Sequence, residues 1–314
     1  MAEKLVVIVG PTAVGKSAVA VDLAQKLDGE IISGDSVQVY RRLNIGSAKI
    51  THEEQQGIPH HMLDVLDPDE EFSVAKFQTL VRTHIDQINR RGKIPILVGG
   101  TGLYIRSILD PYEFPETSED RQIRAELHQV AQREGKAYLH RELAAVDPES
   151  AARLHVNDLV RVVRALEVYR LTGRPFSDYQ RSVVNQPTPG ESPYHLSYFG
   201  LNAPREWLYE RINQRVELML AHGLVQETQD LLADGYVPAL QSLRTIGYRH
   251  AILYLRGLLT RPEMKRLLQR DTRHFAKRQL TWFRRDARIT WFEVSEQPLE
   301  QITRQMTEII CSGT

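Results

Sequence analysis

A single cysteine, Cys311, stands among 314 residues. It has no partner for an internal disulfide and fits a reducing compartment. Long apolar runs are missing too. No stretch approaches the length of a membrane span, and no basic-then-apolar leader precedes the first apolar segment. A cytoplasmic chain without a membrane partner is expected. Net charge is absent, with 40 basic against 40 acidic residues, so only the distribution of charge can point to a partner. There is no internal repeat or low-complexity tract. His60 and His61 cannot both face one ion from a strand, and no third ligand follows at a recognisable spacing, so they read as structural histidines. The 42% hydrophobic content is enough for a packed core, and the length suits two domains or one large domain with an insertion.

What is present begins with Gly10, Pro11, Thr12, Ala13, Val14, Gly15, Lys16 and Ser17, a phosphate loop of the nucleotide-binding type with G-x-x-x-x-G-K-[ST] spacing. Its context agrees. Leu5 to Val9 is a short apolar run that reads as a buried parallel strand. Ser17 to Leu27 carries Ala20, Leu23, Ala24 and Leu27 at helical spacing. A strand thus turns through glycines into a helix N-terminus, where N–H groups converge on an anion. Lys16 would reach the outer phosphate and the Ser17 hydroxyl would ligate Mg²⁺. A ligand bearing a diphosphate or longer is implied.

Glu30 to Ser33 reads as a second strand, ending in Gly34 and Asp35. Asp35 is either a turn aspartate or a functional group at a strand's carboxyl end, where open parallel sheets collect them. A helix from Ser73 to Gly92 precedes a third strand, Ile94 to Val98, then Gly99, Gly100, Thr101 and Gly102 and another helix from Leu103. This rhythm predicts an α/β fold, a P-loop doubly wound parallel sheet. P-loop hydrolases end a second strand in an acid that holds Mg²⁺. Here glycines and Thr101 take that place, which weakens a nucleotide-hydrolysis reading. From Pro111 and Pro115 the pattern turns helical, with helices from Ser118, from Lys136 to Val146 and from Leu159 to Thr172, then a Pro/Ser/Gly-rich linker from Ser182 to Pro193. Residues 112–190 are expected to form a helical insertion in a core of residues 1–111 and 191–314. Tyr194 to Leu201 alternates like a strand returning to the sheet.

Arg205 to His222 reads as a helix placing Arg211 and Arg215 on one side. Such a pair is either a solvated face or a device for a leaving diphosphate. Arg261 to Arg288 holds ten Lys/Arg against three acids. Arg266, Arg270, Arg273, Lys277 and Arg284 form a basic stripe, while Met264, Leu268, Phe275 and Trp282 are expected to dock inward. In a neutral chain this stripe suggests a polyanion, most plausibly nucleic acid. Arg161 and Arg164 make a smaller basic spot. A diphosphate pocket, an aspartate and a polyanion face, without a second acid, suit transfer of carbon with diphosphate as leaving group.

The phosphate loop, Ser33 to Tyr40, Val98 to Tyr104, Arg244 to Arg249 and Lys277 to Arg284 are collinear across nearly the whole chain. Together they resemble the tRNA dimethylallyltransferases, or isopentenyl-tRNA transferases, of bacterial type. The resemblance implies transfer of a dimethylallyl group from dimethylallyl diphosphate to the N6 amine of adenosine 37, beside the anticodon of tRNAs reading codons that begin with U. The base would be flipped out of its stack. It implies that Gly10 to Ser17 hold the diphosphate, with Ser17 on Mg²⁺. Asp35 would be the general base, Thr101 would lie near the diphosphate and the target nucleotide, and Arg215 would neutralise the leaving group. Contacts to the tRNA anticodon stem-loop would come from Asp35, Ser36, Val37, Gln38, Thr101, Arg124, Val160, Arg161, Arg164, Arg244, Gly247, Tyr248, Arg249, Lys277, Arg278, Gln279, Trp282 and Arg284. The insertion would be a mobile arm against the anticodon stem, and a monomer is expected. Two positions depart from the family pattern: Gly34, where alanine or a similar residue is common, and Val160, where glutamine often stands. The zinc-finger extension of eukaryotic members is absent.

Three rival readings are an adenylate isopentenyltransferase acting on free AMP or ATP, a P-loop small-molecule kinase and a non-catalytic RNA-binding protein. The first needs neither the basic stripe nor the insertion, the second predicts γ-phosphate transfer from ATP, and the third has no activity to lose.

Overall fold

The structure, a computed structural model, describes residues 3–112, 114, 120–179 and 192–312. The expected helix start at Ser118, Pro115 and most of the Ser182–Pro193 linker lie outside the described residues. The chain divides into two compact units, Met1–Leu109 with Pro189–Thr314, and Asp110–Thr188.

The first unit is a parallel sheet of six strands, β1 (Lys4–Val9), β2 (Gly29–Ser33), β3 (His60–His61), β4 (Ile94–Gly99), β5 (His195–Asn202) and β6 (Thr290–Glu293), in the order β3-β2-β4-β1-β5-β6. Every neighbouring pair runs parallel. The apolar run of β1 serves two cores: Leu5, Val7 and Val9 pack on one side of the sheet, Val6 and Ile8 on the other. Each such buried side chain is worth about 1.5–3 kcal/mol. β5 alternates in sequence, yet its middle is buried on both faces, because Tyr198 enters the core on one side of the sheet and Phe199 and Leu201 the core on the other. β3 and β6 carry no sequence signal; edge strands of two and four residues are too short to show a period.

Helices α1 (Lys16–Leu27), α2 (His52–Gln55), α3 (Val74–Arg90) and α4 (Gly102–Leu109) alternate with the first strands. The sharp start of α3 comes from Ser73, whose hydroxyl accepts from the Lys76 N–H at 3.1 Å. Because all strands run one way, the turns after β2, β4 and β1 leave the same edge of the sheet from three adjacent strands.

The second unit contains α5 (Arg121–Glu134), α6 (Lys136–Val146), α7 (Pro148–Arg153) and α8 (Leu159–Thr172) around its own core of Leu127, Leu139, Leu143, Val162 and Leu166. Asp147 caps α7, its carboxylate accepting from the N–H groups of Ser150 and Ser177 at 3.0 and 2.8 Å. The first unit then adds α9 (Arg205–Ala221), α10 (Leu224–Ala233), α11 (Tyr248–Leu255), α12 (Arg261–Phe283) and α13 (Leu299–Ser312).

Candidate active site

The phosphate loop fills the exit from β1. Gly10, Ala13 and Gly15 have φ of 150°, 65° and 103°, which bends the chain tightly before α1. A Cβ on Gly10 would lie 2.6 Å from the Leu201 carbonyl oxygen, so glycine is obligatory there. The Lys16 ammonium donates to the carbonyls of Gly10 and Pro11 at 3.0 and 2.8 Å. Burial and the nearby Arg215 push its pKa down to about 7, with Asp35 acting in the opposite direction. Burial likewise lowers Arg215, while Asp35 and Glu54 favour its charged form. Lys16, Asp35 and Arg215 are therefore close enough for their charges to act on one another.

The arginine pair on α9 reaches the backbone around this site, Arg215 from a half-buried position and Arg211 from an exposed one. Arg211 Nε donates to Ala13 O at 3.0 Å, and Arg215 donates to Ala48 O at 3.4 Å. The solvated-face reading fails for Arg215, which is half-buried, and describes Arg211, which is exposed.

Asp35 sits at the carboxyl end of β2, half-buried. Its Oδ1 accepts from the N–H groups of Val37 and Gln38 at 2.8 and 3.3 Å. The turn reading holds, with Oδ1 fixing the orientation, and it leaves Oδ2 without a hydrogen-bond partner among the described residues. Ser17 is exposed on the first turn of α1 and borders a cavity of about 30 Å³ shared with Ser33, Gln38 and Val98. Among the described residues, no three His, Cys, Asp or Glu side chains gather to hold a metal by themselves. One hydroxyl beside an anion loop fits a Mg²⁺ ion that arrives on a diphosphate and keeps water ligands.

Thr101 leads into α4, half-buried, its carbonyl accepting from Ile105 N at 3.1 Å. The glycines around it admit close neighbours. A Cβ on Gly99 would meet Gly34 O at 2.6 Å, and one on Gly102 would meet Trp282 Cδ1 at 2.2 Å. Gly34, the family departure, therefore sits where the ends of β2 and β4 nearly touch.

The segment from Ser36 to Ile50 has little regular structure and is held by side chains. Gln38 donates to the carbonyls of Ser47 and Ala48. The Glu227 carboxylate accepts from the N–H groups of Asn44, Ile45 and Gly46 at 2.8–3.1 Å and from the Tyr248 hydroxyl at 2.6 Å. Burial and Glu227 raise the Tyr248 pKa far above the usual phenol value. Glu227 has no sequence signal, because a lone acid on a helix looks like any solvated residue.

Several expected RNA contacts are placed differently. Tyr248 is fully buried, with its ring against Gly46. Gly247 is buried at the start of α11 with φ 102°. Gln279 is 6% exposed, and both ends of its amide are occupied: Oε1 accepts from Thr12 N at 2.9 Å and Nε2 donates to Gly100 O at 3.0 Å. These three support the site from beneath. The inward face of α12 is Met264, Leu268, Ala276, Gln279 and Phe283, whereas Phe275 is half-buried and Trp282 is exposed. Stepping by seven from Leu268 to Phe275 and Trp282 drifts off a 3.6-residue period, which is why that expectation fails. Arg273 leaves the outward stripe to donate to Asn213 at 2.7 Å. Arg266, Lys277, Arg278 and Arg284 are exposed, the last just beyond the helix. Arg244 is exposed, and Arg249 pairs with Asp271 at 2.5 Å.

In the second unit, Arg124 and Arg164 both donate to the buried Glu167, at 2.9 and 2.7 Å. Arg161 is exposed beside Asp158, and Val160 is 75% exposed.

Comparison with known proteins agrees in kind. The IPP transferase family model matches residues 38–286. A tRNA dimethylallyltransferase of Desulfitobacterium hafniense is 56% identical over 98% of this chain and 97% of its own length. One from Carboxydothermus hydrogenoformans is 50% identical over 98% and 97%. Among solved structures, the tRNA isopentenylpyrophosphate transferase of Bacillus halodurans aligns with TM-score 0.74 and 43% identity, covering 99% of this chain and 96% of that one. A eukaryotic dimethylallyltransferase acting on tRNA aligns with TM-score 0.81 and 28% identity over 99% and 80%.

Proposed function

The chain belongs to the IPP transferase family, and from that premise we propose that it is a tRNA dimethylallyltransferase, moving a dimethylallyl group from dimethylallyl diphosphate to the N6 amine of adenosine 37 of tRNAs reading codons that begin with U. One observation carries the reading: α9 reaches the phosphate loop, with Arg211 donating to Ala13 O at 3.0 Å, and brings Arg215 near Lys16 and the strand-end Asp35. Arg215 and Lys16 are cations suited to a departing diphosphate, and Asp35 is the base an attacking amine requires.

In this reading the loop N–H groups, Lys16 and Arg215 bind the diphosphate. The N6 nitrogen attacks C1 of the dimethylallyl group, the C1–O bond breaks, and diphosphate leaves with the bonding electrons. Asp35 takes the proton that the amine gives up. Burial and Arg215 lower the Lys16 pKa to about 7, and a bound diphosphate favours its ammonium form. Ser17 would hold Mg²⁺, which supplies further neutralisation of the leaving group when bound. Thr101, between the loop and Trp282, is suited to hydrogen-bond the substrates. The exposed Lys277, Arg278, Arg284, Arg244 and Trp282, with Arg124, Val160, Arg161 and Arg164 of the second unit, are the candidate contacts to the anticodon stem-loop. We place the reaction in the cytoplasm and expect a monomer to perform it.

Single-turnover incubation with labelled dimethylallyl diphosphate tests this. Label should pass to an anticodon stem-loop containing the target adenosine and not to AMP. Transfer to AMP alone would favour an adenylate isopentenyltransferase, and γ-phosphate transfer from ATP to a small acceptor would favour a kinase.

A further inference from the structure

Gln279 lies on the helix that carries the exposed basic residues, yet its own side chain is buried and bonded at both ends. One end holds the N–H of Thr12 in the phosphate loop, and the other holds the carbonyl of Gly100 after β4. Its neighbours Lys277 and Arg278 face solvent. The fit is specific in shape. A Cβ at position 100 would lie 2.1 Å from Gln279 Nε2, so the reach across to Thr12 exists only because that residue is glycine. It is specific in chemistry as well. Among side chains of this length only an uncharged amide presents an acceptor to Thr12 and a donor to Gly100 together. A glutamate would set an acceptor against the Gly100 carbonyl, and a methionine would leave both backbone groups unpaired. One turn further on, Trp282 lies on Gly102, so the last two turns of α12 are seated on the turn that holds Thr101.

Building on the function proposed above, we infer that Gln279 is a positioning residue that links the RNA-facing helix to the phosphate loop, so that docking of the anticodon stem-loop and binding of diphosphate strengthen each other. Whatever fixes α12 also fixes Thr12, and an anion that orders the loop returns the same free energy to the helix. Such coupling is necessarily reciprocal.

The test is a pair of calorimetric titrations with inorganic pyrophosphate at fixed Mg²⁺, with and without saturating unmodified anticodon stem-loop. In the wild-type protein the stem-loop is expected to tighten pyrophosphate by a factor of about 5 to 150, the usual range of such couplings. In Gln279→Met that factor should fall to about 1, while the stem-loop titrated alone binds within about threefold of wild type. Gln279→Glu keeps the length and the Thr12 acceptor but loses the Gly100 donor, and is expected to lose the coupling as well. A wild-type factor of one with both ligands binding, or full coupling in either folded variant, overturns the inference. A wild-type protein that binds neither probe overturns the functional reading itself.

Discussion

The phosphate loop and the segment after β2 solve their folding problems in opposite ways. Gly10–Ser17 is eight consecutive residues, shaped by positive φ at Gly10, Ala13 and Gly15 and by the start of α1. Residues 36–50 have one isolated bridge, Tyr40 to Leu66, and are otherwise held by short turns and by side chains, among them Asp35, Gln38 and Lys49 nearby and Glu227 and Arg215 far along the chain. A chain can write an anion site locally, because backbone N–H groups suffice to make one. A segment without ladder or helix must satisfy its buried N–H groups from elsewhere. Mutations far along the chain should therefore injure residues 36–50 most, whereas the loop depends chiefly on its own residues, with Gln279 and Arg211 as its distant partners.

The sharpest separation should come at Asp35. Asp35→Asn preserves an oxygen for the N–H groups of Val37 and Gln38 but removes the carboxylate proposed above as the base. Turnover in single-turnover assays is expected to fall by about 10²–10⁴-fold, far more than any change in pyrophosphate affinity. Equal losses in both would erase the donor–acceptor division. Next is Glu227→Ala, which strips partners from three backbone N–H groups and the Tyr248 hydroxyl. Hydrogen bonds to a charged group are worth about 1.5–3 kcal/mol, so urea denaturation should report a destabilisation of that order. Stem-loop affinity should drop while pyrophosphate binding holds. An unaltered stem-loop affinity would mean the segment keeps its shape without the clamp.

The same contrast explains what was legible in the residues. The glycine spacing and the β1 run announce the anion loop and the parallel sheet because each is a short-range pattern, and the strand-end position of Asp35 marks it as a candidate without giving it a role. Glu227 and the inward turn of Arg215 are tertiary facts: nothing within ten residues of Glu227 marks it as the partner of Asn44–Gly46. Gln279 and Tyr248 lie inside recognisable motifs, yet a motif does not say which member faces the ligand and which braces it. Their buried polar ends, satisfied by partners 267 and 21 residues away, decide that.

A milder effect should appear in pH. Lys16 is held at about 7, below its usual value of 10.5, by burial and Arg215. Between pH 7 and 10.5 the unfolded chain binds the proton that the folded chain lacks, so this group's cost to folding is full below about 7 and shrinks as pH rises. A bound diphosphate favours the ammonium. The Lys16 contribution to pyrophosphate affinity is thus complete below about 7 and weakens above it, by at most about tenfold per pH unit. Lys16→Arg, which does not titrate there, should bind with a flatter profile between about pH 7 and 9. Identical profiles would show that the ligand's own titration, and not the lysine, sets the pH dependence.

The smallest effect at ordinary salt, and the one that isolates the acceptor face from everything beneath it, concerns Lys277 and Arg278. Both are exposed on α12, immediately before the Gln279 brace and without a share in it. If they meet RNA phosphates, each neutralised phosphate releases counterions. Replacing both by alanine should then lower the slope of log affinity against log salt, by about 0.7 for each phosphate left unneutralised on a single-stranded loop and about 0.9 on a duplex stem. Affinity should fall a few-fold near physiological salt and further at low salt, while pyrophosphate binding stays as in the wild type. A reduced slope would assign the basic stripe to RNA and leave the donor loop untouched. An unchanged slope would mean that these charges only solvate the helix, and that RNA reaches the base through Arg244, Trp282 and the second unit.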